Sequence, residues 1–128
     1  MKTVFKEKVS VLTGASSGIG RQMALDLAKQ GAWLVLAARR NEKLNELVVE
    51  CTQLGARAIA VQTDVSDEEQ CKALIDAAIT EFGRIDILIN NAGITARNRF
   101  DQMQVLWPIE KVMRTNYLGS VYLSLIHI

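Results

Sequence analysis

Short, almost wholly apolar runs alternate with amphipathic stretches along most of the chain. The runs are Val9 to Thr13, Trp33 to Ala38, Ala58 to Val61 and Ile85 to Ile89. Continuous apolar runs of this length, rich in Val, Ile and Leu, predict strands covered on both faces. Between them, Ile19, Met23 and Leu27 recur at one helical spacing, as do Leu44, Leu47, Val48, Cys51 and Leu54, and then Cys71, Leu74, Ile75, Ala78 and Phe82. These stripes predict three amphipathic helices, with Glu42, Lys43, Glu46 and Glu50 on the solvent side of the second. The punctuation agrees with that reading. Gly31, Gly55 and Gly83 close the helices, Asn41 is a natural N-cap, and Ser66 with Glu69 has the spacing of a capping box.

Strand, helix, strand repetition with right-handed crossovers builds a parallel sheet. The predicted fold is therefore α/β: a Rossmann-type doubly wound sheet with helices on both faces, strand order 3-2-1-4, spanning residues 1–128 as one incomplete domain. Residues 94–107 lack a period and predict a long connection. Pro108 then opens a helix on which Ile109, Val112, Met113 and Asn116 share one face, so Asn116 is a polar residue on an apolar stripe.

Composition narrows the class. The 128 residues are 49% hydrophobic and 23% charged, with a net charge of +1, so no overall field recruits nucleic acid or an anionic membrane. No run has membrane-spanning length, and a soluble cytoplasmic protein is the expectation. Cys51 and Cys71 fall on apolar stripes and predict buried free thiols. His127 is the only histidine, which excludes a multi-histidine metal centre. Trp33 and Trp107 predict packing in preference to stacking platforms.

The chemistry concentrates where the first run meets the first helix, at Thr13-Gly14-Ala15-Ser16-Ser17-Gly18-Ile19-Gly20. Gly14 permits a tight turn, Gly18 lets a ligand approach the backbone, and Gly20 lets the helix pack close to the strand. The helix N-terminus then offers free N–H groups and a positive dipole end to a pyrophosphate. In a dinucleotide site the adenosine ribose lies about 20 residues further on, where an acid selects NAD. Here Ala38 is followed by Arg39 and Arg40, which favours the 2′-phosphate of NADP and makes NAD the lesser choice. Asp64 closes the third strand, where it is either an adenine acceptor or a capping acid. Asn90 and Asn91 end the fourth strand beside the glycine turn, where a buried amide ties neighbouring strands. Ala92 and Gly93 let backbone pass close to a cofactor.

The glycine octapeptide, Asp64-Val65, Asn90-Asn91-Ala92-Gly93 and Asn116 in this order resemble the short-chain dehydrogenase/reductase family. The resemblance implies that the turn, with Ser16, Ser17 and Ile19, holds the coenzyme, that Asp64 and Val65 bind adenine, and that Arg39 reads the 2′-phosphate. It implies that backbone from Asn90 to Gly93 lines the cofactor cleft, and that Asn116 joins a catalytic tetrad and holds a relay water. The implied reaction interconverts a small-molecule carbonyl and an alcohol, in a protein that forms a homo-oligomer. The family's Tyr-x-x-x-Lys is not matched, because Val121 and Ile126 stand four residues after Tyr117 and Tyr122 and no lysine follows Lys111. The expectation is a truncated amino-terminal portion, nearly inactive by itself, with an exposed apolar edge at Ile85 to Ile89. The alternatives are a non-catalytic dinucleotide-binding or interaction module and a truncated product without function.

Overall fold

A computed structural model describes residues 5–16 and 18–92. The element order is β1 (Val9–Thr13), α1 (Gly18–Lys29), β2 (Trp33–Ala38), α2 (Asn41–Gln53), β3 (Arg57–Gln62), α3 (Glu68–Phe82) and β4 (Ile87–Ile89). The four strands are parallel and lie in the order β3-β2-β1-β4, as the alternation predicts. Chain order reverses direction between β1 and β4, so the connections leave the sheet to opposite faces at that point.

The apolar runs are continuous because both faces are covered. In β2, Leu34 and Leu36 face α1 and α2, together with Leu12, Leu27, Leu44, Leu47 and Cys51. The intervening Val35 and Ala37 face α3, with Val11, Cys71, Leu74, Ile75 and Ala78. Leu12, Leu34, Leu36, Leu44, Leu47 and Leu74 are essentially inaccessible. Each such side chain contributes about 1.5–3 kcal/mol on burial. The Arg21–Glu50 ion pair that joins α1 to α2 is 41% and 44% exposed at its two side chains. A pair so exposed is worth about 0–1 kcal/mol, so the leucines hold the helices in place.

Five local expectations are corrected. The buried stripe of α1 is Gly20, Ala24, Leu27 and Ala28, whereas Ile19 is 74% exposed. Small residues at Gly20, Ala24 and Ala28 bring the helix axis close to the sheet, which turns Ile19 outward. Arg40, without a side-chain cap bond, precedes α2, and Asn41 is its first helical residue. Leu54 lies past the end of α2 and is exposed. The cap of α3 is Asp67, whose carboxylate accepts from the N–H groups of Glu69 (3.0 Å) and Gln70 (3.3 Å). The Ser66 hydroxyl instead donates to Asp64 Oδ1 at 2.6 Å. Lastly, β4 begins at Ile87, two residues late, and stands at the end of the described sheet.

Asp86 accounts for that late start. Its carboxylate accepts from Val9 N–H at 2.8 Å and from Arg84 Nε at 2.9 Å, and its own N–H donates to Val9 O at 2.9 Å. The Val9 N–H, and after it the Arg84 guanidinium, hold the Asp86 carboxyl below its ordinary value of 3.8. A lowered folded pKa means that this stabilisation is present above the unfolded pKa, about 3.9, and is lost as pH falls through the folded value. Asp86→Asn keeps an acceptor but loses the charge. Its deficit in thermal midpoint is expected to be full at neutral pH and to close below about pH 4. A deficit independent of pH contradicts the assignment.

Both cysteines are buried free thiols, as predicted. Burial, with the nearby carboxylates of Glu50 and Asp67 respectively, pushes Cys51 and Cys71 up to about 11. Trp33 is half-buried at the amino end of β2. It stacks on Phe82 at 5.7 Å, with the Arg57 guanidinium 4.7 Å from its ring centre. This cluster closes the end of the sheet opposite to the glycine turn. None of the helices among the described residues is long and apolar enough to cross a membrane.

Candidate functional site

At the carboxyl ends of the strands, the turn after β1 is pinned on two sides. Toward β2, Ala15 N–H donates to Ala37 O at 3.1 Å. Toward β4, the buried Thr13 hydroxyl accepts from the N–H groups of Asn91 and Ala92, both at 3.0 Å, and Asn91 Nδ2 donates to Gly14 O at 3.2 Å. The strand-tying amide is therefore Asn91, while Asn90 at the end of β4 is exposed.

The three glycines do different work. Gly14 has φ +65°, and a Cβ there would lie 3.0 Å from Ala92 backbone. A Cβ at Gly20 would lie 2.1 Å from Gly14 O and 2.5 Å from Asn91 Nδ2, so only glycine lets the first turn of α1 close on the strand. Gly18 has φ +61°, and among the described residues nothing beyond its chain neighbours and its own helix lies within 4 Å of an added Cβ. Its constraint from the protein is conformational, and its open side borders the helix N-terminus. Ile19 projects from the same first turn with its apolar side chain uncovered. An open, positively polarised turn beside an uncovered apolar side chain fits a ligand that is anionic at one end and apolar at the other.

A second feature lies at the ends of β2 and β3, where Arg39, Gln62, Asp64 and Gln70 line an open cleft of about 440 Å³. Among the described residues no carboxylate lies within ion-pair distance of Arg39. Asp64 is held by its neighbours: its carboxylate accepts from Ser66 N–H and Oγ, and its own N–H donates to Gln70 Oε1 at 2.8 Å. Val65 is only 5% exposed, packed toward α3, with its carbonyl 3.3 Å from Cys71 Sγ. Its side chain belongs to the core. Ser16 is half-buried in the turn and Ala92 half-buried beside it. Ser17, Gly93 and Asn116 lie outside the described residues, as do Trp107 and the helix predicted after Pro108.

The short chain dehydrogenase family model matches residues 8–127. The chain belongs to this family. The matched span takes in the glycine turn, Arg39, Asp64 and Asn90 to Gly93 together. Among curated relatives of this short-chain dehydrogenase, 11-beta-hydroxysteroid dehydrogenase 1A of Arabidopsis thaliana is 42% identical over 125 residues, covering 94% of this chain and 36% of the relative. 11-beta-hydroxysteroid dehydrogenase A of Sesamum indicum is 41% identical over 127 residues, covering 95% and 36%. The chain thus spans about a third of the length of these relatives. The crystal structure of a hydroxysteroid dehydrogenase from Escherichia coli superposes with a TM-score of 0.91 at 32% identity, over 98% of this chain and 52% of that one. A 7α-hydroxysteroid dehydrogenase complexed with NADH and 7-oxo glycochenodeoxycholic acid gives the same score and identity, over 98% and 48%.

The short-chain dehydrogenase family binds a nicotinamide dinucleotide, and one of these structural neighbours holds NADH. Two parts of the arrangement escaped the sequence reading. The Thr13 hydroxyl carries no signal by itself, because threonine is common in strands. Gln62 and Gln70 act on main-chain atoms that only the folded turn brings near.

Proposed function

We propose that this chain is the cofactor-binding portion of an NADP(H)-dependent short-chain oxidoreductase that interconverts a carbonyl and an alcohol. The observation that carries the cofactor choice is Arg39, which stands at the carboxyl end of β2, lines the open cleft and lacks a carboxylate partner among the described residues. A guanidinium there pairs bidentately with a 2′-phosphate, whereas NAD recognition uses an acid at this place.

The chain's residues divide the cofactor between them. N–H groups at the start of α1, around Ser16, Ser17 and Gly18, hold the pyrophosphate, and the exposed Ile19 covers an apolar part of the dinucleotide. Asp64, oriented by Ser66, accepts from the adenine amino group beside Val65, and Arg39 takes the 2′-phosphate. Asn90 and Ala92 form the wall toward β4, and the family resemblance adds Gly93 to the cofactor-binding residues. Asn116 would hold a relay water. When bound, NADPH supplies the hydride for carbonyl reduction. The relatives, named as hydroxysteroid dehydrogenases, support a hydroxysteroid or its ketone as the substrate class to test first.

Titration of the chain with NADPH and NADH tests the cofactor assignment. Arg39→Asp is expected to reverse the preference: two charged contacts of about 1.5–3 kcal/mol each are lost and a repulsion is added, which amounts to at least about a hundredfold in relative affinity. Unchanged relative affinities would sink the 2′-phosphate assignment.

A further inference from the structure

The turn that carries Arg39 is held on both sides of that residue by the last residue of β3 and the one after it. Thr63 N–H donates to Ala38 O at 2.9 Å, and Gln62 Nε2 donates to Arg39 O at 3.0 Å. Those two carbonyls belong to the peptide groups flanking the Arg39 Cα, and β3 pairs in parallel register with β2 up to Ala38 and Gln62. The first bond continues the main-chain ladder and is available to any residue but proline at position 63. The second comes from a side chain and depends on the amide of Gln62. Arg39 itself is exposed, and the main chain on either side of it is fixed by these two bonds. The direction in which its side chain leaves the turn is set by that main chain. An arginine on a free turn loses conformational freedom when it captures an anion, and a turn fixed beforehand loses less. Gln62 also lines the cleft that Arg39 enters.

We propose that Gln62 is a positioning residue for Arg39 and that its amide sets how strongly this chain prefers a 2′-phosphorylated adenine dinucleotide over the unphosphorylated one. This rests on the reading of Arg39 as the 2′-phosphate ligand, and the two are separable by experiment. Dissociation constants for NADPH and NADH are measured by cofactor fluorescence on the full chain, for the native protein, Gln62→Leu, Arg39→Ala and the double variant. Gln62→Leu keeps the side-chain bulk and removes the donor. It is expected to weaken NADPH about threefold to tenfold, the effect of one net hydrogen bond, and to leave NADH within about twofold. In the Arg39→Ala background the same substitution is expected to change NADPH affinity by less than about twofold.

The NADH constant serves as the internal control for folding. An equal loss for both cofactors means that Gln62 serves the adenosine they share, and overturns the proposal. So does an unchanged NADPH to NADH ratio in Gln62→Leu when Arg39→Ala lowers it, an outcome that leaves Arg39 as the phosphate ligand. If Arg39→Ala also leaves the ratio unchanged, the reading of Arg39 and the role of Gln62 fall together.

Discussion

Gly20→Ala is expected to lower the thermal midpoint of the unliganded chain by roughly 10 °C or more and to abolish NADPH binding. The added Cβ would sit 2.1 Å from Gly14 O and 2.5 Å from Asn91 Nδ2. The first obstacle is backbone, so no rotamer change relieves it. Overpacking of this kind costs about 1–3 kcal/mol and sometimes more. Here it also forces the α1 N-terminus away from the turn that it serves. Gly18→Ala separates stability from binding at a site two residues away. Among the described residues its Cβ meets nothing beyond its chain neighbours and its own helix within 4 Å, and its cost is the φ of +61°, about 1–2 kcal/mol. The expected result is a smaller loss of midpoint with a loss of NADPH affinity of more than about tenfold, since the Cβ enters the cradle proposed for the pyrophosphate. Native affinity in a folded Gly18→Ala protein would show that the ligand does not use the open side of the turn.

Thr13→Val is expected to destabilise the chain by about 2 kcal/mol, because it leaves the N–H groups of Asn91 and Ala92 without their acceptor. Valine fills the same volume on a residue that is 1% exposed, so the loss reports the hydroxyl and not a cavity. Thr13→Ser is expected to recover most of it. The Asn91 side chain holds the same junction from the other direction through Gly14 O. Thr13→Val combined with Asn91→Ala is therefore expected to fall short of additivity by more than about 0.5 kcal/mol in denaturant midpoints. Strict additivity contradicts the picture of one junction locking β4 to the glycine turn.

Much of the architecture was legible because parallel strands with both faces covered leave few polar positions to blur their limits. Leu34, Val35, Leu36 and Ala37 go alternately to two separate cores, and every one of them is apolar. The strand order followed from the number of repeating units. What could not be read was decided by single-residue differences in local geometry. Asp64, Ser66 and Asp67 are all chemically able to cap α3, and the hydroxyl of Ser66 was taken by Asp64, which left Asp67. Asn90 and Asn91 are identical in type, and the pleat at the end of β4 turned the second toward Gly14. Ile19 lies at helical spacing from Met23 and Leu27, yet the close approach allowed by Gly20 and Ala24 rotated the buried face away from it.

We propose that the open turn at Gly14 to Gly20 and the cleft at Arg39 together bind one 2′-phosphorylated dinucleotide. Equilibrium titration of the unmodified chain with NADPH and NADH under identical conditions tests it most directly. Saturable one-to-one binding of NADPH, with NADH weaker by about tenfold or more, is the result the account requires. Equal affinity for the two cofactors, or no saturable binding of either, would contradict it.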